Sequence, residues 1–325
     1  MKNLFVKDLK PGMTVFGEVF VIKSYKKGST KQGQPFIDVE LADKSGGVRG
    51  KVWSDHIDKC EVNKVGEAVK VDGSIEEYPP GSGKPQFKIV SMVLAESYDP
   101  IDFQKSSEYS IEELEEKISN TLKGIKNKHL NSLLKNIFDE ETMASFLQSS
   151  AAMNIHHAYK GGLAEHVVEM LYLAESVLER YPKMNSDVLN AGILLHDLGK
   201  LWEYETALTT TMTTEGKLLG HITIAVNLVR DRAPKEMPKN LLNEIMHLIL
   251  SHHGALEFGS PVLPKTAEAI ALSSLDRTST YINASYYAIH ELDPKEEFTA
   301  YQKHLGSELY RSPYLDELTN EDIPF

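Results

Sequence analysis

Hydrophobic and polar residues alternate along the first 95 residues of the chain, in short runs that turns separate. Alternation with a period of two is typical of strands that bury one face. β-Branched and aromatic residues are frequent in these runs, and a Pro- and Gly-rich turn at 79–83 separates the last two. The predicted strands cover residues 14–22, 36–41, 48–53, 69–75 and 87–93. Five short strands in so few residues indicate a small closed barrel of the OB type.

From Ser110 onward, hydrophobic residues recur at the spacing of amphipathic helices. The run Ser110-Ile111-Glu112-Glu113 resembles a helix start, with a capping serine and acids in the first turn. The predicted helices cover 111–124, 128–136, 139–149, 163–180, 187–198, 219–231, 239–252, 264–280 and a segment near 294–310. The fold class is therefore multidomain β followed by α: a barrel at 1–95, a linker at 96–110, an all-α helical bundle at 111–315 and an acidic tail at 316–325.

Charge is distributed unevenly between these two parts. The whole chain carries a formal net charge of −12, but residues 1–95 hold 15 basic and 12 acidic residues, so the excess of acids lies in the helical part. Hydrophobic content of 41% is ordinary for a globular protein, and no apolar run is long enough to cross a membrane. The single cysteine, Cys60, excludes an internal disulfide and is typical of a reducing cytoplasm.

Histidine and aspartate residues occur beside small residues or at predicted helix ends in the apolar segments of the second domain. The candidates are His166, His196, Asp197, His221, His252 and Asp276. A polar group in an apolar segment is costly unless it has a partner, so the joint pattern indicates a site. The doublet His196-Asp197 offers an imidazole and a carboxylate that can bridge two cations. Such a mixture suits Mn²⁺, Fe²⁺, Zn²⁺ or Mg²⁺.

Catalytic candidates lie close to these residues. Gly199 is expected to end the helix after the doublet, which turns Lys200 back toward the site as a contact for phosphate. His253 is either a further metal ligand or a phosphate contact, and the sequence leaves both roles open. His156 and His157 are further candidates for contacting phosphate.

The order of these residues resembles the H…HD…H…H…D signature of the HD-domain phosphohydrolases. The resemblance implies an HD domain with its core at 160–281 and two divalent metals, with Mn²⁺ favoured. It implies one site formed by His166, His196, Asp197 and Asp276, and a second formed by Asp197, His221 and His252.

A longer run, 155–166, resembles the segment that leads into the HD domain of YhaM-type 3′→5′ exoribonucleases, which also carry an N-terminal OB-fold at nearly this length. The chain departs from that family around Asp276. There the family usually has a run like LHYLDNLDAK, and this chain has Leu272-Ser273-Ser274-Leu275-Asp276-Arg277-Thr278-Ser279-Thr280. The departure bears on substrate preference and catalytic efficiency and not on metal binding.

The barrel has the features of a single-strand binding module. OB-folds bind single strands with a basic groove and aromatic stacking platforms. The candidate nucleic-acid contacts are Lys23, Lys26, Lys27, Lys31, Arg49, Lys51 and Trp53, of which the first four are expected in a Gly-rich loop between the first two strands. The net charge of +3 on residues 1–95 predicts modest, salt-sensitive binding of nucleic acid.

The resemblance thus implies a cytoplasmic, metal-dependent 3′→5′ exoribonuclease that acts on single-stranded RNA, with single-stranded DNA as a further substrate, and that forms a homo-oligomer. Two alternatives remain at this stage. One is an HD hydrolase of a small nucleotide, such as a cyclic dinucleotide or a nucleoside triphosphate, although a small substrate needs no strand-binding barrel. The other is a nucleic-acid-binding adaptor with a vestigial HD site, although the ligand set is intact.

Overall fold

The first part of the chain forms a closed five-stranded barrel. The computed structural model describes residues 2–60, 62–104, 106–153, 157–293 and 295–314. The strands are β1 (Thr14–Ser29), β2 (Pro35–Asp43), β3 (Gly46–Trp53), β4 (Ala68–Glu77) and β5 (Pro85–Leu94). Their order is β1-β2-β3-β5-β4, and β4 pairs back onto β1. The predicted OB-like barrel is therefore confirmed.

The barrel closes because alternate side chains of all five strands fill one interior. Phe20, Ile37, Val52 and Phe87 are fully or almost fully buried there. The parallel pairing of β3 with β5 completes the ring, with Val52 opposite Ile89. β4 and β5 lie very close together at Gly73, since a Cβ at that position would lie 2.2 Å from the Lys88 carbonyl oxygen. Glycine is required there to let β4 and β5 come together.

The Lys-rich segment after residue 22 is not a loop, as the sequence suggested. β1 continues to Ser29 and pairs with β2 as a projecting hairpin, in which Lys26 lies opposite Asp38. Backbone pairing with β2 extends the strand, and exposed lysines are tolerated because this arm has little core to cover. Of the four lysines, only Lys31 lies in the connecting turn.

The second part of the chain is helical around one large apolar core. The helices are α1 (Ile111–Gly124), α2 (Lys128–Ile137), α3 (Glu140–Gln148), α4 (Gly162–Arg180), α5 (Ser186–Leu195), α6 (Lys200–Glu203), α7 (Thr214–Arg232), α8 (Lys239–Ser251) and α9 (Ala267–His290). A small hairpin, β6 (Tyr204–Thr206) and β7 (Thr210–Met212), follows α6. The predicted class, a β-barrel followed by a helical domain, is confirmed. No helix among the described residues is both long and apolar enough to span a bilayer.

Two expectations about helices are wrong. The segment near 294–310 is not helical over its described residues 295–310. It folds back on itself, with an isolated bridge between Phe298 and Tyr310 and a left-handed Gly306, which favours a turn. The last long helix begins after Pro264, at Ala267, because the side chain of Thr266 accepts a hydrogen bond from the Ala269 amide and caps it. The predicted acidic tail at 316–325 lies outside the described residues.

Gly73→Ala should destabilise the barrel by about 1–3 kcal/mol, because the new methyl group meets the backbone of Lys88. The measurement is urea unfolding followed by fluorescence in a Trp202→Phe background, which leaves Trp53 of the barrel as the single tryptophan. Gly124→Ala is the control, since a Cβ there has no neighbour within 4 Å. Equal urea midpoints for the two variants would show that β5 can move away from the new methyl group without loss of stability.

Candidate metal centre

The six predicted ligands converge in the helical core. α4 carries His166, the turn after α5 carries His196 and Asp197, and α9 carries Asp276. His221 lies in α7, and His252 follows the last residue of α8. His166, His196, Asp197 and His252 are almost completely buried. The side chains of His221 and Asp276 are slightly exposed, so the site opens on their side.

Asp197 stands between two pairs of histidines. Its Oδ2 lies 3.4 Å from His196 Nε2 and 3.8 Å from His166 Nε2. Its Oδ1 lies 3.5 Å from His221 Nε2 and 3.7 Å from His252 Nε2. Each carboxylate oxygen thus faces its own pair of imidazoles. This is the division that the two predicted ligand sets require, and Asp276 joins the first set through Oδ1, 3.3 Å from His166 Nε2.

The four histidines present the same ring nitrogen to this centre because their other nitrogen is already engaged. The Nδ1 atoms of His196 and His252 lie 2.8 Å and 2.7 Å from main-chain carbonyl oxygens three residues earlier. A carbonyl only accepts, so each Nδ1 carries the proton and each Nε2 presents a lone pair. His221 Nδ1 lies 3.2 Å from the Glu203 carboxylate, which fixes it in the same way. His166 Nδ1 is 2.9 Å from the Ser279 hydroxyl.

The result is a set of electron-pair donors that face one another. His166 Nε2 and His196 Nε2 are 3.3 Å apart, and both also face carboxylate oxygens. Lone pairs at this separation repel unless a cation lies between them. Borderline nitrogen ligands mixed with hard carboxylates fit a divalent transition metal, so the donor set fits the group that the sequence implied.

Burial and charge act in opposite directions on these groups. Burial lowers the pKa of His252 well below its usual range, and the neighbouring His196 and His253 lower it further. Burial also lowers the pKa of His196, but the Asp197 carboxylate outweighs this effect and the net shift is upward. Burial alone would raise the pKa of Asp197, but Lys200 and His196 hold it far below its usual value. Protons therefore compete with a metal for the same ligands, and acid weakens metal binding.

Glycines bring His221 to the doublet. A Cβ on Gly199 would lie 2.0 Å from the carbonyl oxygen of His221, so only glycine permits this contact. The expectation that Gly199 ends a helix is wrong. α5 already ends at Leu195, and Gly199 has ordinary right-handed dihedral angles just before α6. Gly220, with φ +69°, breaks α7 and starts its second segment at His221, whose amide donates to Glu203 Oε1.

The predicted catalytic residues lie in two different places. Lys200 turns back as expected, and its Nζ lies 2.6 Å from Asp197 Oδ2. The ring of His253 lies 4.1 Å from that of His252 and 5.4 Å from that of His221, between centroids. His157 lies behind His166, is 1% exposed, and has Nε2 3.2 Å from Glu169 Oε2. His156 lies outside the described residues.

Sequence reasoning missed three residues that support the ligands: Glu169, Glu203 and Ser279. Glu203 is 5% exposed although it is acidic, and it stands one turn after Lys200. Acidic residues are rarely buried without a partner, so the position of Glu203 close to the apolar run and the doublet was the signal that could have identified it. For Glu169 and Ser279 there was no such signal, because they meet only when α4 packs on α9.

Some of the predicted nucleic-acid contacts lie together on one outer face of the barrel. Lys51 Nζ lies 4.4 Å from the ring centroid of Phe36 and 5.1 Å from that of Trp53, and the two rings are 6.2 Å apart. Arg49 is exposed two residues earlier on the same strand. Acidic partners partly neutralise this face: Asp38 lies 3.3 Å from Lys51, and Glu40 lies 3.6 Å from Lys23. Lys26, Lys27 and Lys31 belong to the exposed hairpin arm.

Asp197→Asn should reduce divalent-metal content more than any other single ligand change, because Asp197 faces both histidine pairs. The amide keeps the shape but loses the charge, and Lys200 is left without its counter-ion. The measurement is elemental analysis of protein equilibrated with Mn²⁺. Asp231→Asn, an exposed change on α7, is the control. Full metal content in Asp197→Asn would exclude Asp197 as a shared ligand.

The chain is similar to known proteins over most of its length. The HD domain family matches residues 163–281. The 3′-5′ exoribonuclease YhaM of Oceanobacillus iheyensis is 33% identical over 308 residues, which cover 93% of this chain and 95% of that protein. The YhaM protein of Shouchella clausii is 35% identical, with 85% of this chain and 86% of that protein covered.

A solved OB-fold domain of replication protein A from Methanococcus maripaludis covers 30% of this chain and 98% of its own at 24% identity. Its TM-score of 0.22 is too low to support the fold, which rests on the strand pairing itself. The matches cover 95% of the Oceanobacillus iheyensis protein and 86% of the Shouchella clausii protein. The chain therefore belongs to the family of YhaM 3′-5′ exoribonucleases.

Proposed function

We propose that this protein is a metal-dependent 3′→5′ exoribonuclease that removes nucleotides from single-stranded RNA, with single-stranded DNA as a further substrate. The observation that carries the proposal is the Asp197 carboxylate, whose two oxygens face separate histidine pairs. Membership of the YhaM family supports the same reaction. An exonuclease of this kind adds water across the terminal phosphodiester bond and releases a nucleoside 5′-monophosphate.

Two divalent cations, with Mn²⁺ favoured, complete the proposed centre. His166, His196, Asp197 and Asp276 would hold one cation, and Asp197, His221 and His252 would hold the other. Bound cations would lower the pKa of a water molecule and neutralise charge on the phosphate oxygens. The buried imidazoles hold their Nε2 lone pairs ready for this role, because each Nδ1 is already engaged.

The proposed catalytic residues beside the ligands are Lys200, His253 and His157, together with Asp197 itself. Lys200 holds a positive charge within 2.6 Å of Asp197, next to the place where a phosphate would approach. His253 is close enough to His221 and His252 either to join their cation or to contact phosphate. His157 is buried behind His166, so its effect on the reaction would pass through other residues.

The barrel would hold the RNA strand. Phe36 and Trp53 flank the Lys51 ammonium, and Trp53 is 38% exposed. Aromatic rings accept bases of any sequence by stacking, while lysines contact the backbone. The proposal thus divides the chain into a strand-binding domain at 1–95, a linker at 96–110 and a hydrolytic domain at 111–315.

The protein is further proposed to be a cytoplasmic homo-oligomer. The single cysteine, Cys60, is free and buried, and a chain that cannot form an internal disulfide fits the reducing cytoplasm. Exposed apolar residues on α9, including Ile282 and Tyr286, offer a surface for self-association.

Incubation with Mn²⁺ and a 5′-labelled single-stranded RNA of 20 nucleotides should give a ladder that shortens from the 3′ end, with release of nucleoside 5′-monophosphates. Asp197→Asn should abolish the ladder. Lys200→Ala should slow it by about 30- to 1000-fold, in line with the loss of one charge-stabilising contact in a dry site. A cyclic dinucleotide, a nucleoside triphosphate, a DNA strand and an RNA duplex serve as competing substrates.

Faster turnover of the cyclic dinucleotide or the triphosphate than of RNA would overturn the exoribonuclease proposal in favour of a small-nucleotide hydrolase. Binding of RNA without turnover of any substrate would identify an adaptor with an inactive HD site.

Replacing Lys51 and Trp53 together by Ala should raise KM for the 20-nucleotide RNA by about 10- to 100-fold, since stacking is worth about 1–3 kcal/mol per base. kcat on a dinucleotide should not change, because the metal centre is intact. Tyr181→Ala is the control, since Tyr181 is a more exposed aromatic residue, 60% accessible, outside the barrel. Equal losses on long and short substrates would show that this face of the barrel does not hold the strand.

A further inference from the structure

A second polar cluster lies directly behind the metal centre. It joins α4 to α9 and to the segment at 157–159, and its members are His157, Tyr159, Glu165, Glu169, Ser279 and Asn283. Ser279 is 2% exposed and Asn283 is 7% exposed, so both are polar groups in the helical core. Buried hydroxyl and amide groups are costly without hydrogen-bond partners.

Ser279 connects a ligand of the metal centre to a carboxylate. Its Oγ lies 2.9 Å from His166 Nδ1 and 2.6 Å from Glu169 Oε2. A hydroxyl group has one hydrogen, and an ionised carboxylate only accepts. Oγ therefore donates to Glu169 and accepts from the protonated Nδ1 of His166. The bond directions leave the Nε2 lone pair of His166 facing Asp276 and His196.

Glu169 is held in the ionised form that this chain of bonds requires. Burial raises its pKa, but the neighbouring His157 and the hydrogen bond from Ser279 outweigh burial and lower it below the usual value. His157 Nε2 lies 3.2 Å from the same Oε2 that accepts from Ser279. His157 takes up a left-handed backbone conformation, φ 46°, which is uncommon for a residue with a side chain. Its amide donates to Asn283 Oδ1, which fixes the histidine against α9.

We propose that Glu169 and Ser279 are positioning residues that orient His166 for metal through a hydroxyl relay, with His157 packed against the shared carboxylate. The inference rests on the proposed metal centre. It distinguishes His166 from His221, whose Nδ1 contacts the carboxylate of Glu203 directly. A carboxylate behind a ligating imidazole raises its basicity and fixes its tautomer, and here the hydroxyl carries that effect across one more bond.

A third cation held by His157, Glu165 and Glu169 is the competing assignment, because their ligand atoms lie within 4.8 Å of one another. The protein already supplies donors to this cluster. Glu169 accepts from Ser279 and lies 3.2 Å from His157 Nε2, and Glu165 Oε1 accepts from the Tyr159 hydroxyl at 2.9 Å. The observed bonds therefore favour the relay, and the number of bound ions separates the two assignments.

The experiment is calorimetric titration of the full-length protein with Mn²⁺. Ser279→Ala removes the relay and should weaken the class of sites that Asp276→Asn also weakens, by about 10- to 100-fold. Glu169→Gln should weaken the same class by a smaller factor, because its amide oxygen still accepts from Ser279. Ser279→Asp combined with Glu169→Gln places a carboxylate directly against His166 Nδ1 and should restore most of the affinity.

The control is Ser274→Ala. It removes a hydroxyl from the same helix, but this hydroxyl is exposed and donates only to the Ile270 carbonyl. It should leave the titration unchanged.

Each outcome has a separate meaning. Absence of Mn²⁺ binding in the wild type would overturn the proposed metal centre. Normal binding in the wild type with unchanged affinity in Ser279→Ala would overturn the relay alone. Failure of the Ser279→Asp, Glu169→Gln double variant to recover affinity would reduce Ser279 to a packing residue. Loss of one ion at saturation in Glu169→Gln would overturn the relay in favour of a third cation.

Discussion

A single buried carboxylate organises the helical half of this protein. Asp197 is almost fully removed from water, and four imidazoles and one ammonium group lie around its two oxygens. An ionised carboxylate in such a place is stable only if positive charge approaches it closely. Lys200 supplies one charge, and the histidine lone pairs direct any cation to the same place. The helices that carry these groups pack together through a shared apolar core, which holds the groups around Asp197.

The candidate metal ligands could be identified from the sequence because they break a strong hydrophobic pattern. His196 and Asp197 directly follow an apolar run in the sequence, and no packing role explains a charged residue there. The barrel was predictable for a similar reason, since five short runs of alternating hydrophobic and polar residues are typical of few folds. In both cases a pattern within a short stretch of sequence was enough to predict the feature.

The remaining features depend on contacts that local patterns do not encode. Ser279 reads as an ordinary helical serine, and only the packing of α4 on α9 places it between His166 and Glu169. Gly199 seemed to end a helix, whereas its actual role is to let the backbone of a distant helix approach. The predicted helix near 294–310 failed because Gly306 and the pairing of Phe298 with Tyr310 favour a fold-back over a helix.

The way in which each imidazole is held has a consequence for how the site tolerates mutation over evolutionary time. His196 and His252 are oriented by main-chain carbonyl groups, which every residue at those positions supplies. His166 and His221 depend instead on the side chains of Ser279 and Glu203. A substitution elsewhere in the chain therefore rarely removes the support of His196 or His252. A single substitution at Ser279 or Glu203 removes the support of His166 or His221. Drift in this centre should therefore begin at Ser279 and Glu203, the side chains that support His166 and His221.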